Sequence, residues 1–385
     1  MEAGVAETWA NSSCAPCSTP RPAGELIVKT SSISAKAGVV VKVLHVAEAY
    51  GGGVATAIQS YVLSSGVETE HFLLAYARPG HDIGTGRASF VDVREMGRGP
   101  WSQIRALRLA IADLKPGVVH FHSSFSGLLR PLVRNRSVKR VYSPHCFAFL
   151  RTDLRGGSAT RKAVWWCERL LANFTDEFAV AGPYEGRLVA EIHPGSKIKM
   201  LPPADWDKKS IAEPKNEPSS VDICTLGRVC PQKDPKFFRG VVDALVLKGW
   251  SGTAYWIGGL KNQSEELEHP NIQCLGWLPR EDVHSLMQAS GVYVHSAAWE
   301  ASVPYSVMEA AAAGLPVIAR DIPPMRDRPV SALGGTPEEV AELVWHVITD
   351  AVAWRQAVRD AMSALDARYH QQQTASLRTL YESRL

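Results

Sequence analysis

The chain has 385 residues, of which 45% are hydrophobic and 21% charged, with a formal net charge of +3. These are the proportions of a globular protein of about two domains. The near-balanced charge gives it no claim on nucleic acid, and no apolar run approaches the ~20 residues needed to span a bilayer. The opening residues, MEAGVAETWANSSCAPC, lack the basic start and apolar core of a secretory signal. Seven scattered cysteines, an odd number, point away from a disulfide framework and toward a reducing, cytoplasmic setting. Cys14 and Cys17 have redox or zinc spacing, but no second pair accompanies them, so they are taken as an inert pair in a loose tail.

Residues 1–38, rich in Ala, Ser, Pro and Thr, are expected to be mostly disordered. Residues 39–47, VVVKVLHVA, form an apolar strand that runs into Tyr-Gly-Gly-Gly and a helix over 54–63. A weaker strand follows at 70–76. Next comes a helix over 101–114, with Ile104, Leu107, Ile111 and Leu114 at helical spacing. The pattern continues with a strand at 117–122, a helix at 126–135 and a strand at 140–145. A helix at 162–174, a strand at 177–182, a helix at 183–192 and a strand at 198–203 complete the first half. The polar, proline-bearing stretch 204–219 is a linker. Strands at 221–227, 253–259, 272–278, 291–296 and 315–321 then alternate with helices at 235–249, 280–290 and 304–314, and long helical patterns close the chain. Alternation of this kind predicts two α/β domains, 39–203 and 220–365. Each is a doubly wound, Rossmann-like parallel sheet, and a cleft between the two is the default ligand site.

Two stretches carry chemistry. LGRVCPQKDP (226–235) is the first strand-to-helix turn of the second domain, and it places Arg228 and Lys233 beside a helix start, where anions are favoured. WEASVPYSVMEAAAAGLPVIARD (299–321) carries Glu300 on a loop and Glu309 inside a helix. Pro304 is expected in the first turn of that helix, with Ser302 or Val303 as cap. Glu309 then lies about five residues in, ~7 Å along the axis, where a carboxylate can accept two vicinal hydroxyls.

GRVCPQK, CLGWLPREDV and WEASVPYSVMEAAAAGLPVIARD, in this order, resemble the nucleotide-sugar domain of retaining glycosyltransferases of the GT-B fold. The closest resemblance is to family 4 (glycosyl transferases group 1), which includes sucrose-synthase-like and polysaccharide-building enzymes. VLHVAEAYGGGVATAI and VYSPHCFAF resemble that family's glycine-rich and histidine-bearing loops. The resemblance implies that Arg228 and Lys233 neutralise the donor diphosphate, and that Gly51, Gly52 and Gly53 face the donor across the cleft. It further implies that Glu309 binds the nucleotide ribose, and that His145 and Glu300 lie at the donor sugar and reacting centre. In the fold so resembled the last helix, here 366–385, crosses back to the first domain, and Tyr369, Leu377, Leu380 and Tyr381 are expected to pack there. Three departures stand out. Eight residues rather than seven separate the two glutamates, Pro203-Ala204 stands where Asn-Gly is common, and Ala301 replaces a glycine.

The function so implied is retaining transfer from a UDP- or GDP-sugar to a glycan or lipid-linked acceptor, in exopolysaccharide, capsule or O-antigen synthesis, with no cofactor and no metal. The alternatives are a nucleotide-sugar 2-epimerase and a catalytically inactive nucleotide-sugar-binding subunit. From Arg98 to Arg140 nine basic residues face Asp113 alone, a surface suited to the anionic inner face of a membrane. His120 and His122 are assigned to opposite faces of their strand, and so not to a joint metal site. Asp205 and Asp207 have the spacing of metal-dependent GT-A transferases but fall in the linker.

Overall fold

The computed structural model describes residues 40–382 apart from 49, 67, 77–88, 205–210, 214–216, 219 and 260–264. Cys14, Cys17, the N-terminal tail, Asp205 and Asp207 lie outside the described residues. All described residues fall within one compact unit.

Two fully parallel sheets organise it. The first has seven strands: β1 Val41–Ala47, β2 Thr69–Ala75, β3 Asp92–Glu95, β4 Val118–His122, β5 Lys139–Ser143, β6 Glu177–Val180 and β7 Ile198–Met200. They lie in the order β3-β2-β1-β4-β5-β6-β7. The helices between them are α1 Gly52–Ser64, α2 Pro100–Leu114, the short α3 Ser123–Gly127, α4 Gly157–Ala172 and α5 Pro183–Ile192. The second sheet has six strands: β8 Ile223–Leu226, β9 Ala254–Ile257, β10 Ile272–Gly276, β11 Val292–His295, β12 Val317–Arg320 and β13 Ala332–Gly334. Their order is β10-β9-β8-β11-β12-β13. Helices α6 Pro235–Leu247, α7 Arg280–Ala289, α8 Tyr305–Ala312, α9 Pro337–Thr349 and α10 Ala351–Met362 pack around it. The inner strands are buried along most of their length, as both faces of a covered parallel sheet require.

Three differences from the sequence reading have local causes. β3 and β13 escape it because they are short sheet-edge strands, and in β3 three of four residues are charged, which blunts an edge. The helix expected over 126–135 is instead α3 and a single 3-10 turn, Arg130–Leu132. Pro131 lacks the N–H a helix needs, and the Arg130 guanidinium turns inward to donate to the Gly127 carbonyl at 2.7 Å. Gly127 itself is required, because a Cβ there would lie 2.8 Å from the Tyr142 ring. Finally, α8 starts at Tyr305 with Pro304 itself at the N-cap and no side-chain cap, so neither Ser302 nor Val303 serves.

The last helix, α11 Ala367–Tyr381, lies against the first sheet's domain. Leu377, Leu380 and Tyr381 join a core with Val43, Ala57, Tyr61, Val118 and Val141. Gln373, fully buried, accepts from Ser60 Oγ at 3.0 Å and donates to the Pro202 carbonyl at 2.8 Å. Tyr369 lies instead beneath Arg328 of the second sheet's domain, 3.5 Å from guanidinium to ring centre. That guanidinium also donates to the Pro203 carbonyl at 2.9 Å, so Pro203-Ala204 is a fastened crossing point.

Candidate active site

Topology fixes where the loops diverge. In the second sheet the strand order reverses between β8 and β11, and in the first between β1 and β4. Ligand sites of open α/β sheets form at the carboxyl ends of such strands. Gly227–Lys233 follows β8 and Ser296–Glu300 follows β11. Gly51–Gly53 follows β1, and His145 follows β5, the neighbour of β4.

The second-sheet half is built around Lys233. Its alkyl stem lies over Gly227, where an added Cβ would meet Lys233 carbons at 3.0–3.2 Å. Gly227 is in turn held by Trp256, whose indole N–H donates to its carbonyl at 2.9 Å. The neighbouring loop is stitched on by Ser296 Oγ donating to the Lys233 carbonyl at 2.6 Å and Ala298 N to the Gln232 carbonyl at 2.9 Å. This places the buried Glu300 carboxylate on the Lys233 ammonium, with Nζ donating to Oε1 at 2.5 Å. Gln232 Nε2 donates to Oε2 at 3.2 Å. His295 lies 3.7 Å from Oε1 and is buried, with no hydrogen-bond partner for Nε2 among the described residues. Burial, with Lys233 adding to it, holds His295 well below the usual imidazole range and therefore neutral. Asp234 caps α6 through Phe237 N and takes Arg320 on its other oxygen at 2.7 Å. Arg228 is exposed on the same turn. Glu309 is partly buried, the fifth residue of α8, whose first N–H groups have no side-chain cap.

The first-sheet half presents α1 and the His145 turn. Gly52 has φ +53° and begins α1 with no side-chain cap, and a Cβ on Gly52 or Gly53 would meet nothing within 4 Å. The helix start is therefore open to an anion. His145 and Cys146 both adopt left-handed backbone, φ 47° and 82°, which costs non-glycine residues about 1–3 kcal/mol each. Glu185 holds that turn in place: its buried carboxylate accepts from Cys146 N at 3.0 Å and from Ala181 N at 2.9 Å. Burial pushes the Glu185 carboxyl up to about 7, against those two bonds. Burial also pushes the Cys146 thiol up, and Glu300 and Glu185 add to the effect while Lys233 opposes it. The His145 turn therefore lies within electrostatic reach of the Lys233–Glu300 pair, across the two halves. Glycine is needed again where the halves meet at Gly182, since a Cβ there would lie 2.9 Å from Ser302 Cβ. Tyr184 N donates to Asp327 there at 2.7 Å.

Two expectations need correction. His120 and His122 are two residues apart on β4 and therefore share a face; their rings lie 4.0 Å apart, centre to centre. With His45, opposite His120 on β1, they bring ring nitrogens within 4.8 Å of one another, contrary to their assignment to opposite faces. The basic stretch is also less free than its count of nine suggests. Arg130 is paired with Glu168, Lys139 with Glu177 and Arg140 with Asp176. Among the remaining cations, Arg105 and Arg108 are exposed on α2 beside exposed Trp101 and Leu109.

Residues 38–204 match a family model described as Glycosyl transferase 4-like domain. Residues 220–361 match one described as Glycosyl transferases group 1. The chain belongs to the group 1 glycosyltransferases. Among curated proteins, this glycosyltransferase is 25% identical over 309 residues to an uncharacterised 41.2 kDa protein in the cps region of Klebsiella pneumoniae, covering 73% of this chain and 81% of that one. Among solved structures, sucrose-phosphate synthase from Thermosynechococcus elongatus shares the fold with a TM-score of 0.70 at 14% identity, over 89% of this chain and 99% of that one. Anabaena HepE, solved in complex with UDP and glucose, superposes with a TM-score of 0.66 at 15% identity, over 88% and 97%. The GT-B architecture of two Rossmann-like domains is thus shared across these chains. No helix among the described residues of this glycosyltransferase is long and apolar enough to cross a membrane.

Of the residues the sequence marks, the structure pairs Lys233 with Glu300, and the turn carrying His145 and Cys146 lies within electrostatic reach of that pair. Sequence reasoning missed Glu185, Gln232 and His295, which position them. Of these, only His295 carried a signal, a histidine at the end of an otherwise apolar strand beside the expected site.

Proposed function

We propose that this glycosyltransferase transfers a sugar with retention of configuration from a nucleotide-diphosphate sugar to a glycan or lipid-linked acceptor, with no step assigned to a metal. The observation that carries the reading is the Lys233–Glu300 pair facing the His145 turn. Lys233 and Arg228 are cations on a strand-to-helix turn, suited to the charge that develops on a departing diphosphate. The open start of α1 at Gly52 and Gly53 adds backbone N–H groups from the other side of the cleft. Glu309, on α8, is assigned to the ribose hydroxyls. Glu300, now holding Lys233, is assigned to the donor sugar, with Lys233 turning to the diphosphate when donor enters. A front-side transfer of this kind relies on leaving-group stabilisation and does not need the paired carboxylates of glycosidases. His145 is held down to about 4 by burial. At neutral pH it is an uncharged imidazole that can hydrogen-bond a sugar hydroxyl.

HepE, described in complex with UDP and with UDP-glucose, favours a UDP-sugar donor. The cps-region relative favours a capsule-type polysaccharide product. The exposed Trp101, Arg105, Arg108 and Leu109 of α2 suit an anionic membrane where lipid-linked acceptors reside.

The test is a transfer assay with labelled donor. His145→Ala is expected to lower kcat at least tenfold while changing the donor KM less than threefold. The product should keep the donor's anomeric configuration by NMR, and activity should survive a chelator. Inverted product, or full activity in His145→Ala, would contradict the reading.

A further inference from the structure

A chain of buried rings runs from the back of the first sheet to His145. Ser65 Oγ lies 2.6 Å from His71 Nε2, and His71 Nδ1 lies 2.9 Å from His45 Nε2. His45 Nδ1 is 3.0 Å from His122 Nε2, and His122 Nδ1 is 3.0 Å from His145 Nε2. Successive rings are stacked or nearly so at 5.2 Å. Ser65, His71, His45 and His122 are all buried, and His145 is partly buried.

The proton positions in this chain follow from one end. Ser65 Oγ also lies 3.0 Å from the Val62 carbonyl, which can only accept. The hydroxyl proton therefore goes to Val62, and His71 Nε2 must donate to Ser65. His71 Nδ1 is then a bare acceptor, so His45 must donate from Nε2, then His122 from Nε2, then His145 from Nε2. Four neutral rings carry four protons, and the chain has four links. A separate, adjacent set of bonds at His120 shows the same polarity. Ser143 Oγ donates to the Ala179 carbonyl at 2.8 Å, so His120 Nε2 donates to Ser143, and His120 Nδ1 accepts from the Tyr381 hydroxyl at 3.0 Å. A proton added to Nδ1 of His71, His45 or His122 would face a neighbouring N–H. Only His145 Nδ1, which makes no hydrogen bond among the described residues, can take one without breaking a link.

We propose that Ser65, His71, His45 and His122 are positioning residues that fix His145 as the Nε2–H tautomer, so that Nδ1 offers its lone pair to a hydroxyl of the donor sugar or the acceptor. The inference rests on the role given to His145 above and deepens it. It also opposes a metal at His45, His120 and His122, since the lone pairs a cation would need are already engaged and no carboxylate is among those three groups to offset its charge.

The test is a long-range proton–nitrogen NMR spectrum of the full chain labelled with 15N-histidine at neutral pH, with His145 assigned from His145→Gln. The expected pattern for His145 is Nε2 protonated and Nδ1 bare. Ser65→Ala removes the anchor and is expected to give a mixed tautomer at His145. It should lower kcat roughly fivefold, the factor one net hydrogen bond is worth, with donor KM within twofold. Ser65→Thr keeps the hydroxyl and should restore both. A protonated Nδ1 in the wild type, an unchanged His145 pattern in Ser65→Ala, or one zinc per chain after purification with zinc would each overturn the proposal. The expected tautomer pattern together with a fully active His145→Ala enzyme would support the chain and overturn the catalytic role assigned to its end.

Discussion

Lowering the pH from 7 to about 5 is expected to unfold this glycosyltransferase. His45, His71, His120, His122 and His145 are all held below the ordinary imidazole value of 6.5, chiefly by burial, with His71 and His145 at about 4. Each is neutral in the fold and takes up a proton in the unfolded chain once the pH falls below 6.5. The stability each contributes is complete above 6.5 and is lost as the pH falls toward its folded value. The slope is about 1.4 kcal/mol per pH unit for each group, so His71 alone loses about 3 kcal/mol between pH 6.5 and 4. Glu185 works the other way. Its carboxyl is raised to about 7, so its contribution grows as the pH falls from 7 toward 4.5. His295 is lowered in the same way, so one group stands against six, and the net loss is steep, on the scale of the whole 5–15 kcal/mol stability of a typical domain. Urea unfolding followed between pH 7.5 and 5 should show the midpoint dropping sharply below 6.5. A midpoint that stays level across that range would contradict the neutral, buried histidine cluster.

Glu168→Ala is expected to destabilise the first domain by about 3–5 kcal/mol, the cost of leaving a buried charge without its partner. Arg130 is fully buried and donates to Glu168 Oε2 at 2.7 Å, to Thr175 Oγ1 at 2.8 Å and to the Gly127 carbonyl. Its guanidinium also covers the Tyr142 ring at 3.8 Å, and the Tyr142 hydroxyl donates to Glu168 Oε1 at 2.9 Å. Without Glu168 the guanidinium keeps one carbonyl and one hydroxyl, and the Tyr142 hydroxyl is left with Ser124 alone. A double replacement, Arg130→Met with Glu168→Leu, should recover most of the loss, because the apolar pair carries no desolvation penalty. Chemical denaturation of the three proteins checks this. A Glu168→Ala protein within 1 kcal/mol of wild type would show that the pair is not closed to water.

These two expectations come from parts of the chain where the sequence was least informative. Arg130, Lys139 and Arg140 looked like members of a basic face because their partners, Glu168, Glu177 and Asp176, lie more than 30 residues further on. A local charge count cannot see pairs made by tertiary packing. The histidine cluster was hidden for a different reason. His45 and His120 sit in apolar strand runs, and the pairing of β1 with β4 that sets them side by side is a long-range register. His120 and His122 did carry a readable signal, since a two-residue spacing keeps one face of a strand. By contrast the alternation of strands and helices was legible almost throughout, because a covered parallel sheet writes its strands as continuous apolar runs. Lys233 was legible for the same reason: it stands at a strand-to-helix turn that the alternation itself locates, and Glu309 lies inside a helix that the alternation also places. The extra residue between Glu300 and Glu309 left Glu300 open. The stitching of the Ser296 loop onto Gln232 and Lys233 is what brings its carboxylate to the Lys233 ammonium.

If Lys233 and its turn receive the diphosphate of a nucleotide sugar, as proposed, calorimetric titration of the full chain with UDP- and GDP-sugars should show that at least one binds. Lys233→Ala should weaken that binding tenfold or more without unfolding the protein. A Lys233→Ala chain that binds the same donor as tightly as wild type would contradict this role, as would a wild-type chain that binds none of them.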